Sequence, residues 1–113
     1  MSDDVVSVLQ RARERVAAGW CQGALCMPYV PWDFSLTGEQ YQAIKTARAW
    51  CMSGALIAEV GQLLSMGQPA VRYLRLAIDA DFPDWNDRPG RTQAEVLDAF
   101  EKAIRLAKDA PHA

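Results

Sequence analysis

Histidine is almost missing from this 113-residue chain: the only one is His112. A side chain that close to the end of the chain is expected to be disordered. Its position argues against a Ser-His-Asp or Cys-His catalytic site and against a histidine-containing zinc site. Cysteine is scarce as well. Cys21, Cys26 and Cys51 supply at most three thiolates, and their spacing is not a usual zinc pattern, so no metal and no cofactor is expected. An odd count in a chain read as cytoplasmic predicts free thiols. An excess of positive charge is missing too. The net charge of −2 lacks the basic excess by which duplex-binding domains neutralise phosphates, so direct nucleic-acid binding is not expected. No window holds 18 uninterrupted apolar residues, and the acidic start Ser2-Asp3-Asp4 is unlike a signal peptide. Gly-x-Gly-x-x-Gly and Walker patterns are absent.

What is present is globular composition: 50% hydrophobic and 23% charged residues. A chain of this size buries roughly two-thirds of its unfolded surface, enough for one core without staples. Residues 1–113 therefore read as a single domain. Val5, Val8, Leu9, Ala12 and Val16 recur at helical spacing, predicting a first helix over 3–18 with Ser2 as N-cap and Gly19 in a left-handed C′ position. Residues 19–36 carry Pro28 and Pro31 and four aromatics, which predicts an irregular lid or a short hairpin at about 20–34. A second helix starts near Thr37, capped by Ser35 or Thr37, and its pattern runs on to about residue 65. Ser53-Gly54 marks a kink or break in it, or a close backbone approach. Pro69 opens a third helix with Val71, Leu74 and Ile78 as its stripe. Residues 81–91 read as a loop with a Pro89-Gly90 turn. Thr92 and Glu95 form a capping box for a last helix bearing Val96, Phe100, Ala103 and Ile104. The fold class is all-α: a bundle of four to five helices.

Two functional readings stand side by side. In the first, the chain is a non-catalytic interaction module. Tryptophan and arginine are enriched at binding hot spots. Tyr29, Trp32, Arg72, Arg75 and Arg88 are its candidate contact residues, and scattered solvated charge is the plainer account of the arginines. In the second, Cys51 or Cys21 acts with Asp87 and Arg91 in a small enzyme or ligand site, Arg91 lowering a thiol pKa if the 81–91 loop folds over Cys51. Against this stands the fact that free cysteines are usually buried small hydrophobes. An Asp87 next to Asn86 and Pro89-Gly90 is also explained as a turn residue. Trp20-Cys21-Gln22-Gly23 echoes Trp50-Cys51, but no further copies exist, so no repeat is inferred.

Three motifs stand out: Trp20-Cys21-Gln22-Gly23, Cys51-x-x-Gly54-Ala55-Leu56 and Trp85-Asn86-Asp87-x-Pro89-Gly90-Arg91-Thr92. Together they resemble an uncharacterised family of small domains found in bacteria and their phages, over most of the chain. The stretch from Leu25 to Tyr41 departs from that family's pattern, which has a more Gly- and Asp-rich turn. The resemblance implies bacterial or phage origin and carries no activity. A partner in a bacterial or phage protein complex, with inhibition of a host defence complex in the manner of anti-CRISPR proteins as one version, follows from association with small phage proteins. The motifs also suggest an architecture. Trp85 anchors the 81–91 loop in the core, Gly54 lets that loop approach the central helix, Asp87 and Arg91 brace it, and Thr92 launches the last helix.

Overall fold

A computed structural model describes residues 4–31 and 35–109. Among them are six helices and two very short strands: α1 Val5–Ala18, β1 Cys26–Met27, α2 Gly38–Lys45, β2 Ala49–Trp50, α3 Met52–Val60, α4 Pro69–Ile78, α5 Phe82–Asp87 and α6 Gln93–Asp109. The mainly-α reading holds. The helix count is higher than the expected four to five because one expected helix is split and one expected loop contains a helical turn and a half.

The amphipathic pattern of α1 buries Leu9, Ala12 and Val16. Its N-cap is Asp4, whose side chain accepts the Ser7 N–H, two residues later than the Ser2 that the sequence suggested. Helix α6 buries Val96, Ala99, Phe100, Ala103, Ile104 and Ala107. It packs against α1 and α4, while α1 also packs on α3. The capping box that opens α6 is present. Glu95 N–H donates to Thr92 Oγ1 at 3.2 Å, and Thr92 N–H donates to Glu95 Oε1 at 2.9 Å. Gln93 reaches across from the first turn of α6 to the Val16 carbonyl at 2.7 Å, satisfying one of the acceptors left open at the end of α1. At the centre lies α3, whose residues from Met52 to Ala58 are all buried. Such a helix has no polar face to show to water.

The long helical pattern after Thr37 does not make one helix. Thr37 and Gln40 form a capping box for α2. The chain leaves the helix at Thr46, runs extended through β2, and re-enters a helix with Cys51 as N-cap. Non-local pairing is what breaks it. β2 lies antiparallel to β1, with Cys26 opposite Trp50 and Met27 opposite Ala49. On its other side Trp50 bridges Trp20 in parallel, donating to Gly19 O and accepting from Cys21 N–H. The two Trp-Cys pairs are therefore neighbours in space. The expected hairpin survives as one antiparallel bridge, Cys26 to Val30.

Two glycines serve this close packing. Gly19 is extended (φ −175°), not left-handed, and a Cβ there would overlap the Arg48 carbonyl. A Cβ at Gly54 would overlap the Leu25 carbonyl. Gly54 does admit a close backbone approach, but the approaching backbone is the β1 segment and not the 81–91 loop.

Candidate functional site

The three motifs meet at one residue, Asn86. It lies in the last turn of α5 and is 1% exposed. Its Oδ1 accepts from Trp20 Nε1 at 2.9 Å and from the Met52 backbone N–H at 3.2 Å. Its Nδ2 donates to Cys21 O at 3.1 Å and to Asp87 Oδ1 at 2.9 Å. Both donors and both acceptor directions of the amide are thus used. The Asn86 carbonyl in turn accepts from Gln22 Nε2 at 2.9 Å, and Asp87 Oδ1 also accepts the Gly23 N–H at 3.0 Å. The N-terminus of α3 is closed from within: Asn86 takes the Met52 N–H, and Cys51 Sγ takes the Gly54 N–H at 3.3 Å. Sequence reading treated Asn86 as a turn former and missed this role. The signal available was Trp20, whose indole N–H needs an acceptor when buried.

The candidate nucleophiles sit beside this network, and their chemistry points away from nucleophilic catalysis. Burial pushes the Cys51 thiol up to about 12, with hydrogen bonds from the Gly54 and Ser53 backbones opposing the rise. Burial, followed by the neighbouring Cys26 and Asp87, pushes Cys21 up to about 11. Cys26 is raised by burial as well. A reactive cysteine needs a shift in the other direction. Arg91 does not supply it. Its guanidinium stacks over the Trp85 ring at 3.6 Å, its Nε donates to Trp85 O at 2.9 Å, and its NH1 meets Glu95 at 3.2 Å. Asp87 and Arg91 therefore brace the segment through different partners, Asp87 toward Gly23 and Arg91 toward Trp85. Trp85 is half-buried against the core, and Asn86 is the deeper anchor.

The candidate contact residues are spread over several elements. Tyr29 is 65% exposed at the turn after β1. Trp32 lies outside the described residues. Arg88 is exposed just after α5, and its carbonyl accepts from Gln22 at 3.1 Å. Arg72 and Arg75 share α4, where Leu76 is 66% exposed and nearby Met66 is 61% exposed. These four residues line one shallow depression together with Asp79, Ala80 and Asp81. Arg75 pairs with Asp81 and also meets Met66 Sδ at 3.1 Å. A further acidic centre was not singled out from sequence. Glu59 on α3 receives Arg11 Nε at 2.7 Å and Arg15 Nε at 2.5 Å, and Arg15 also lies over the Trp50 ring. Burial works against the Glu59 charge, but the hydrogen bonds and charges of Arg15 and Arg11 outweigh it and hold its pKa below the usual value.

Among the described residues no group of three or more His, Cys, Asp or Glu side chains is placed to hold a metal ion. No helix there is long and apolar enough to cross a membrane. A small helical domain, locked by an internal amide network and bearing thiols held protonated, is the class that fold and site define. The model of the family of unknown function DUF6197 matches residues 1–106, and the chain belongs to that family. No curated protein and no solved structure matches it.

Proposed function

We propose that this chain is a non-catalytic protein-interaction module of bacterial or phage origin, and that it binds its partner through α4 and the turn before it. The observation that carries this reading is the depression formed by Met66, Arg72, Arg75 and Leu76. Single exposed apolar residues are ordinary on a protein surface, but here two large ones share a depression with two arginines, and methionine and arginine are enriched at interfaces. Three thiols with raised pKa values, and an Arg91 turned to Trp85 and Glu95, give the Cys/Asp/Arg alternative no comparable support.

The test is affinity capture with the tagged chain from bacterial lysate, with and without phage infection, read by mass spectrometry. The double variant Arg72→Glu/Leu76→Asp changes only exposed side chains. A stoichiometric partner kept by the wild type and by Tyr29→Ala, and lost by the double variant, is the expected result. Absence of any stoichiometric partner overturns the reading. The narrower version, in which the partner is a bacterial defence complex, predicts that expressing the chain raises phage plating on a host with active CRISPR immunity.

A further inference from the structure

A second feature borders the surface just described and shares Met66, Arg75 and Asp81 with it. A cleft of about 370 Å³ opens between the first turn of α3, the turn before α4, α4 itself and α5. This lies within the range of small-molecule sites, roughly 300–1,000 Å³. Ser53, Val71 and Phe82 form its inner wall and are 1%, 4% and 5% exposed. Met66 and Asp84 stand at its exposed mouth, where the Arg75–Asp81 pair also lies. The informative atom is Ser53 Oγ. It is fully buried and has no hydrogen-bond partner among the described residues. Ser53 is the second residue of α3, so no preceding helical turn offers its hydroxyl a carbonyl, and a buried polar group left without a partner is costly. Ser53 lines a cleft whose other inner residues are apolar.

We propose that this cleft is a binding site for a small organic molecule with a flat apolar body, one N–H or O–H group that hydrogen-bonds Ser53 Oγ, and no negative charge. The apolar body lies against Val71 and Phe82. Charge selection comes from the mouth. Arg75 is neutralised by Asp81, so Asp84 leaves the rim net negative, favouring neutral or cationic ligands and repelling anions. Neither the cysteines nor Asn86 lines this cleft, so it is distinct from the motif centre.

The experiment is an amide NMR titration of the isolated 113-residue chain with three probes sharing one body: indole, tryptamine and indole-3-acetate. Indole and tryptamine should produce saturable shifts centred on Ser53, Val71 and Phe82 at low millimolar concentration, with indole-3-acetate the weakest of the three. Ser53→Ala should weaken indole binding about three- to tenfold, the worth of one hydrogen bond, while leaving the melting temperature equal to or above wild type. An alanine with a lowered melting temperature and unchanged indole binding would mean that the hydroxyl has a structural partner, and would overturn the proposal. So would the absence of cleft shifts with all three probes. Asp84→Lys, on the exposed rim, should reverse the order of tryptamine and indole-3-acetate; an unchanged order refutes the charge selection. No cellular partner takes part, so failure of the interaction reading leaves this result unaffected.

Discussion

Two neighbouring sides of α3's first turn behave in opposite ways. On one side, Asn86 joins Trp20, Cys21 and Met52, and every hydrogen-bonding direction of its amide is taken. On the other, one residue further along the same helix, Ser53 presents a hydroxyl that no protein group answers. The motif-rich side is saturated and the motif-poor side is open. A dense motif is thus no guide here to where the molecule meets other molecules. The residues that stand out in the sequence hold three distant segments together, and the groups left available lie in the plain stretch between Ser53 and Asp84.

Substitutions on the saturated side should sharpen this contrast through stability. The largest effect is expected at Gly54→Ala, where a methyl group must displace the Leu25 carbonyl. A loss of about 4 kcal/mol, beyond ordinary overpacking, should appear in urea unfolding. Asn86→Ala should follow closely at about 3 kcal/mol, because it leaves a buried indole N–H and a backbone N–H without acceptors. Against a total of roughly 5–15 kcal/mol, either change is severe. If Asn86→Ala proved as mild as a surface change, the lock would not be real.

The next effect depends on pH. The Glu59 pKa is lowered on folding from a reference of 4.5, so between the folded and unfolded values the unfolded chain binds more protons. The stability contributed by the Arg11–Glu59–Arg15 cluster is therefore complete above pH 4.5 and lost as pH falls through the folded value. Glu59→Gln should cost about 1–2 kcal/mol at pH 7. The gap between its urea midpoint and that of wild type should close as the solution is acidified; a gap independent of pH would sink the assignment. Smallest is Thr92→Ala, about 1 kcal/mol from loss of the α6 cap, read as a shift in urea midpoint without a change in slope.

What was legible in the sequence follows the range of the interaction. The stripes of α1 and α6 and the capping boxes at Thr37 and Thr92 depend on neighbours within a few residues, and each was readable. The break at 46–51 was not. Ile44, Ala47 and Cys51 keep helical spacing straight through it, and the deciding hydrogen bonds come from Gly19, Cys21 and Leu25. The 81–91 segment was read as a loop because Asn-Asp and Pro-Gly are strong local turn signals, yet its partners at Trp20, Gln22 and Met52 made Asn86 a core residue within α5. At the candidate site, Tyr29 and Arg72 were sensible surface choices. Ser53 was read with Gly54 as a break and Met66 and Leu76 were not singled out, because no local pattern marks a single serine or apolar residue as a contact.

The reach of the Asn86 amide also bears on the order of folding. Its bond to Trp20 closes a loop of 66 residues and its bond to Met52 one of 34. Closing loops of that length has an entropic cost that local contacts do not meet. The α1 and α6 helices form from neighbouring residues, whereas this amide engages only after the chain's early and late segments have come together. It thus acts as a late latch, tying the survival of the N-terminal strands to a residue near the other end of the chain and making unfolding of either half an event shared by both.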